Sequence, residues 1–207
     1  MTAGLLLVGA GGLAREVLAA GLTAVGILDD DPALAGRSVS GTPVLGAVAA
    51  AAGRPEQLLI TIGPSTARQR VVTALAQMGI GPERYGTFVA RSAVVGSSST
   101  VGVGSILLDG VVITADAEVG RHVVIMPNCT ITHDDRVADF ATLAAGASLG
   151  GGVHIGEAAY IGMNASVHPG RSIGASTTVG MGAVVLGDLP RDQTWAGVPA
   201  RRVERRG

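Results

Sequence analysis

Residues 107–148 read LLDGVV ITADAE VGRHVV IMPNCT ITHDDR VADFAT LAAGAS, and each block of six opens on Leu, Ile or Val. The register runs without a miss through Val89, Val95, Val101, Leu107, Ile113, Val119, Ile125, Ile131, Val137, Leu143, Leu149, Ile155, Ile161, Val167, Ile173, Val179 and Val185. These three residue types make up roughly a quarter of the chain, so seventeen consecutive hits are not chance. A fixed short period marks a solenoid, and six is the period of the hexapeptide β-helix.

The geometry of a left-handed parallel β-helix accounts for the period. Three hexads make one triangular coil, and the aliphatic residue of each points into the prism. The residue four further on also points inward, near a corner, and has to be small. Fourteen of these seventeen positions are Ala, Ser, Thr, Val or Cys, the exceptions being Asp135, Arg171 and Leu189. The position after the aliphatic is often Gly, as at Gly102, Gly120, Gly156, Gly162, Gly174 and Gly180, where a coil corner favours a residue without Cβ. Coils about 4.8 Å apart pair as parallel strands. Each buried aliphatic contributes about 1.5–3 kcal/mol against about 1–2 kcal/mol per residue of backbone ordering, so one coil is marginal and stacking stabilises the array.

Outside the hexads the pattern alternates. Gly4–Gly9 is a buried-strand run, and Leu13–Ala20 has helical periodicity. Val25–Leu28 is a second strand that ends in the turn signal Asp29-Asp30-Asp31-Pro32, and Leu58–Ile62 is a third. Ser65-Thr66 is placed to cap a helix over Ala67–Met78. Alternating strands and helices predict a Rossmann-like α/β half domain over residues 1–84, followed by an all-β left-handed parallel β-helix over residues 85–207.

The first strand-to-helix turn reads Gly9-Ala10-Gly11-Gly12-Leu13-Ala14, a G-x-G-x-x-G/A match in the context that gives the motif its meaning. Backbone amides and the helix dipole there favour a pyrophosphate. Asp29 stands twenty residues after Gly9, where an acid can bind a ribose or a base. The structural alternative is that the glycines serve only a tight turn. A region of about 84 residues holds half of a dinucleotide fold, which favours a nucleotide-sugar over NAD.

Net charge is −1 with no basic tract, which argues against nucleic acid or an anionic membrane as partner. The one cysteine, Cys129, allows no disulfide within the chain and fits a reducing cytoplasm. The start, Met1-Thr2-Ala3-Gly4, has no charged segment, and Leu5–Val8 is too short for a signal peptide or membrane span. All fifteen cationic residues are Arg, which reads as a high-GC genome and carries no mechanism.

Taken together, the two halves resemble the bacterial sugar O-/N-acyltransferase family, which includes sialic-acid O-acetyltransferases and nucleotide-aminosugar N-acetyltransferases. The likeness covers nearly the whole chain. It rests on Gly9-Ala10-Gly11-Gly12, Gly26-Ile-Leu-Asp-Asp-Asp-Pro32, Gly41-Thr-Pro-Val-Leu-Gly46, Ile62-Gly63 with Arg68, the hexads, Thr132-His133-Asp134 and Ala196-Gly-Val-Pro-Ala200. The resemblance implies acetyl transfer from acetyl-CoA to an amine or hydroxyl of a sugar or nucleotide-sugar. It implies a homotrimer with CoA in the clefts between prisms, and no metal.

By the same resemblance, His133 is the general base on a coil corner, and Asp134 is the adjacent carboxylate that fixes its tautomer. Gly151, one coil later at the same corner, offers its N–H to the acetyl carbonyl. Thr142, Met163, Met181 and Gly182 map to the acetyl-CoA path, with coil packing as the structural alternative for the two methionines. Gly9, Gly11, Gly12, Asp29, Asp30, Gly63 and Arg68 map to the acceptor. Relatives often carry His where this chain has Leu13, and some carry His where it has Thr142.

Several positions are open to a second reading. Asp135 either pairs with Arg136 or orients His133. Arg201 and Arg202 either meet CoA phosphates or are solvated tail charges. His122 reads as a solvated turn residue, and His154 and His168 as structural or surface residues. Two other functions use the same features. A non-catalytic nucleotide-sugar-binding solenoid needs the glycine turn but not His133. A γ-carbonic-anhydrase-like metalloenzyme needs three metal histidines from neighbouring subunits, a spacing that these four histidines lack.

Overall fold

The computed structural model describes residues 4–204; the sequence readings on residues 1–3 and 205–207 lie outside it. The α/β part opens with β1 (Leu5–Val8), α1 (Gly12–Ala19), β2 (Gly26–Leu28), β3 (Ser38–Val39), β4 (Thr42–Gly46), β5 (Gln57–Ile60) and α2 (Ser65–Gln77). They build a five-stranded sheet in the order β3-β4-β2-β1-β5. β1 pairs in parallel with β2 and β5, and β3 alone runs antiparallel, against β4. Leu6, Leu7 and Val8 of β1 are fully buried, as a strand covered on both faces requires.

α2 begins two residues earlier than the sequence pattern predicts. Its N-cap is Pro64, without a side-chain cap. Ser65 is therefore already helical, and its hydroxyl bonds Thr142 Oγ1 at 2.8 Å instead of capping the helix. Met78 falls at the C-cap, and α1 starts at Gly12 with Gly11 as N-cap.

From Phe88 to Val185 the chain winds through two-residue strands that stack every third one into three parallel faces. Face 1 begins at Phe88–Val89, face 2 at Val94–Val95 and face 3 at Thr100–Val101. The aliphatics from Leu107 to Val185 form one continuous core with the small residues Val111, Ala117, Val123, Cys129, Ala141, Ala147 and Ala159.

Four details depart from the simple hexad reading. Val89 is 43 % exposed, because no earlier coil covers it. Arg171 turns its side chain toward solvent near Asp188 rather than inward. The left-handed backbone falls at the fourth hexad position, with φ near +60° at Asp116, His122, Asn128, Asp134, Phe140 and Asn164. The second-position glycines serve a different purpose: a Cβ at Gly102 would stand 2.6 Å from the Gly120 backbone one coil away.

The two parts share a core. Leu7, Val17 and Ile27 of the α/β part pack in one cluster with Ile106, Leu108 and Val124 of face 1. The outward positions Ile106, Val124 and Thr142 of face 1 are thus covered, whereas face 3 presents Glu118, Arg136 and His154 to solvent.

Candidate active site

The glycine turn closes around a cavity of about 520 Å³ lined by Gly9, Gly11, Gly12, Asp29, Asp30 and Gly63, six of the seven positions expected to meet the acceptor. Gly9 is structural: its φ is +101°, and a Cβ there would press on the Thr61 carbonyl at 3.2 Å. Gly11 and Gly12 are different. A Cβ at Gly11 would meet nothing within 4 Å, and one at Gly12 only the tip of Arg15 at 3.9 Å. The fold itself does not require those glycines, so the absence of side chains leaves open space at the N-terminus of α1, where amides and dipole favour an anion. Asp29 accepts the Ala10 N–H at 2.7 Å and the Asp31 N–H at 2.9 Å, and Asp30 accepts the Val48 N–H at 2.9 Å. Both carboxylates are thereby held at the rim with lone pairs to spare.

The seventh position, Arg68, does not join them. Its guanidinium is wholly buried and spends every N–H on the protein. Nε donates to the His122 carbonyl, Nη1 to Ile62 and Gly63, and Nη2 to Phe140, Ala141 and Thr142 Oγ1. Burial among neutral acceptors pushes its pKa down to about 10. The expectation that Arg68 binds the acceptor is therefore corrected: it clamps the Ile62-Gly63 loop onto the β-helix. Thr142 belongs to the same joint, since its hydroxyl also bonds Ser65.

A second cavity of about 760 Å³ adjoins the first through Gly12, Leu13, Gly63 and Pro64. Its far wall is face 1 and the corner after it, with Met126, Ala144, Tyr160 and Met163. Met163 and Met181 are 44 % and 71 % exposed, so neither is coil packing. Gly182 donates to the Met163 carbonyl at 2.7 Å, which sets the two methionines one coil apart on the same corner. Sequence reasoning missed Met126, Ala144 and Tyr160. The signal for Tyr160 was the every-eighteenth series Ile106, Val124, Thr142, Tyr160, Thr178, and for Met126 and Ala144 the series Leu108, Met126, Ala144, Gly162, the leading members of both being apolar.

His133 stands elsewhere, on the corner between faces 2 and 3. Its Nδ1 lies 2.7 Å from Asp134 Oδ2, both side chains being 67 % exposed. Asp134 sits in left-handed backbone at φ +62°, which turns its carboxylate back to the imidazole. That hydrogen bond raises the His133 pKa and leaves Nε2 as the free nitrogen. The imidazole lies directly over Gly151: a Cβ there would collide with the ring, 2.5 Å from Nε2. The Gly151 N–H has no acceptor among the described residues, while the neighbouring Gly152 N–H is used by the His133 carbonyl at 2.9 Å. An imidazole with one free nitrogen, a carboxylate on its other nitrogen and a free amide donor thus share one corner.

His122 corrects another expectation. It is buried rather than solvated, stacked on Phe140 at 5.3 Å and edge-on to Tyr85 at 4.5 Å. Burial lowers its pKa to about 4. His154 and His168 are exposed, as are Arg201 and Arg202. Face 3 carries a groove of about 710 Å³ with Glu118, Arg136 and His154, which contains none of the expected site residues. No described helix is long and apolar enough to cross a membrane.

No protein-family model and no curated protein sequence matches the chain. Solved structures do. A histidine-to-asparagine variant of perosamine N-acetyltransferase from Caulobacter crescentus, in complex with CoA and GDP-perosamine, is 32 % identical with a TM-score of 0.89, over 99 % of this chain and 98 % of that one. The acetyltransferase domain of PglB from Neisseria gonorrhoeae, in complex with acetyl coenzyme A, is 28 % identical with a TM-score of 0.87, over 98 % and 100 %. WeeI from Acinetobacter baumannii is 26 % identical with a TM-score of 0.78, over 98 % and 100 %. With the same two-part architecture end to end, this chain belongs to the hexapeptide-repeat, left-handed β-helix family of nucleotide-sugar N-acetyltransferases.

Proposed function

We propose that this protein transfers the acetyl group of acetyl-CoA to the amine of a nucleotide-linked aminosugar, with His133 as general base. The observation that carries the reading is the His133 corner, where Asp134 holds Nδ1 and the ring rests over the unpaired Gly151 amide. The relative solved with both CoA and GDP-perosamine supports the two-substrate assignment.

The chemistry follows from the tautomer. Nδ1–H donates to Asp134, so Nε2 has the lone pair that takes a proton from the attacking amine. The amine nitrogen bonds the thioester carbon, and the carbonyl oxygen gathers negative charge facing the Gly151 N–H. When the tetrahedral adduct collapses, the carbon–sulfur bond breaks, and the proton on Nε2 goes to the CoA thiolate. Gly11, Gly12, Asp29, Asp30 and Gly63 hold the nucleotide end of the acceptor, and Met163, Met181 and Gly182 flank the pantetheine. Labour divides between residues 1–84 and 85–207 in a cytoplasmic enzyme.

In one protomer the nucleotide cavity is lined by the α/β part, which packs on face 1, while His133 stands on the corner between faces 2 and 3. A single chain therefore separates its base from its acceptor cavity. A homotrimer, in which each prism brings its His133 to a neighbour's cavity, completes the site.

The test is incubation with acetyl-CoA and each of GDP-perosamine and UDP-, CMP- and dTDP-linked aminosugars, read by mass, beside light scattering of the active sample. Gain of one acetyl group on one acceptor by a trimer is the expected result. A metal-dependent reaction with no acetyl transfer, or an active monomer, overturns the respective part.

A further inference from the structure

Along the prism the backbone ladder follows one rule. At Thr114, Gly120, Met126, Ala138, Ala144 and Gly150, the N–H donates to the carbonyl of the inward aliphatic one coil on. Thr132 breaks it. Its N–H turns inward to Asp135 Oδ2 at 2.7 Å, and its hydroxyl takes over the bond to the Leu149 carbonyl at 3.0 Å. Strand pairing registers the same gap: Thr130 is paired with Ser148, but Ile131 is not paired with Leu149. On either side, Ile113–Ile131 and Leu149–Val167 are paired.

Asp135 also reaches across to the next coil, accepting the Val153 N–H on Oδ1 at 2.8 Å. This carboxylate is fully buried and pairs with no cation among the described residues, since Arg136 faces Glu118 instead. Of the two expectations for Asp135, the pairing with Arg136 is not formed, and the carboxylate bonds the backbone beside His133, at Thr132 and Val153, rather than the imidazole. Stacking does not demand a carboxylate here. Ser99 and Ser105, at the same inward position, bond the Ala117 and Val123 amides with a hydroxyl. Burial of an unpaired carboxylate is costly, and it pushes the Asp135 pKa up to about 6. The costly group stands where its two bonds bracket the His133 and Gly151 coils.

We infer that Asp135, with Thr132, is a positioning residue: it opens the ladder between these two coils and so sets the separation of the His133 imidazole from the Gly151 amide. The inference rests on His133 being the base. Asp135 itself touches no reacting atom.

The test is Asp135→Ser, which keeps a hydroxyl for Val153, as Ser105 does for Val123, and lets the Thr132 N–H return to Leu149. With acetyl-CoA and the aminosugar that the wild-type protein acetylates, kcat is expected to fall at least tenfold, with both KM values within twofold. Ser105→Ala, which loses the same kind of coil-to-coil bond away from the corner, is expected to lower the melting temperature and keep kcat within twofold. A second measurement needs no acceptor. The Gly151 amide resonance is expected to respond differently to acetyl-CoA and to CoA in the wild type, and alike in Asp135→Ser. A folded Asp135→Ser protein with wild-type kcat, or with an unchanged Gly151 response, overturns the positioning role. His133→Ala in the same assay separates the two ideas: if it remains fully active, the reading of the base fails instead.

Discussion

Gly151→Ala probes the corner with one methyl group. The glycine is not in left-handed backbone, so alanine costs no strain in φ. Its methyl, however, would stand 2.5 Å from Nε2 and 3.1 Å from Cδ2 of His133, well inside the roughly 3.5 Å of an ordinary carbon contact. The imidazole has to retreat by about 1 Å. It can do so cheaply, because the side chain is 67 % exposed and held only by Asp134. Stability should therefore barely change, by less than about 0.5 kcal/mol, the range of surface substitutions. Catalysis should suffer far more, since a misplacement of about 1 Å costs on the order of 10²-fold, or about 2.7 kcal/mol of barrier. Thiol release measured against acceptor concentration should show kcat down about 10²-fold with the acceptor KM little changed, and a melting temperature within about 2 °C. A Gly151→Ala enzyme with kcat within twofold of wild type would refute the idea that the ring must rest on this coil to work.

Four further outcomes follow from the same geometry. Gly11→Val fills the open space at the N-terminus of α1, so calorimetry should show weaker acceptor binding and nearly intact acetyl-CoA binding; equal loss of both would contradict separate sites. His133→Ala should lower kcat by about 10²–10⁴ and abolish the ascending limb of the pH–rate profile. That limb should lie above the ordinary histidine value, because the Asp134 hydrogen bond raises the pKa, and Asp134→Asn should move it to lower pH at a smaller cost in rate. Arg68→Met leaves a ring of buried carbonyls without donors and should cost about 3 kcal/mol or more, seen as a melting temperature lower by roughly 6–12 °C. His122, whose pKa falls from 6.5 to about 4 on folding, binds its proton more readily unfolded, so stability should be complete above about pH 6.5 and decline by about 3 kcal/mol down to pH 4; urea midpoints that hold steady over that window would count against its burial.

The hexads were legible because a solenoid repeats one local rule, and the inward aliphatic obeys it coil after coil from Leu107. Its end effect was not legible, and Val89 is exposed for want of a preceding coil. The glycine turn and the His133-Asp134 pair were legible because each is contiguous in sequence. Arg68 was misassigned for the opposite reason, and Thr142, which lines the second cavity with Met163, was not seen to belong to the joint as well. Their partners lie dozens of positions away across the joint between the two parts, and a polar residue in a motif reads the same whether it faces a ligand or a carbonyl. His122 failed likewise, since a turn position implies exposure only when nothing packs on the turn, and Tyr85 packs on this one. Faces could have been told apart by reading every eighteenth residue: Thr100, Glu118, Arg136, His154, Ser172 is a solvated row, whereas Ile106, Val124, Thr142 is a covered one that opens at Tyr160.

The same eighteen-residue reading bears on how the trimer we propose would be assembled. Face 1 is already occupied by the α/β part, through Ile106 and Val124. Face 2 presents Val94, Val112, Thr130, Ser148, Ser166 and Val184, a row of small residues without a single charge. Its two bordering corners carry the two proposed half-sites: His133 and Gly151 on one, Met163 and Met181 on the other. A row of this kind loses little hydration on contact and lets two prisms approach closely. A neighbour seated along face 2 would therefore cover a surface that costs little to desolvate, and would stand within reach of both corners at once. The hexads would then serve a purpose beyond stability. By placing chemistry on corners and leaving one flat face uncharged, they would let a chain too narrow to enclose two substrates share the enclosure with its copies.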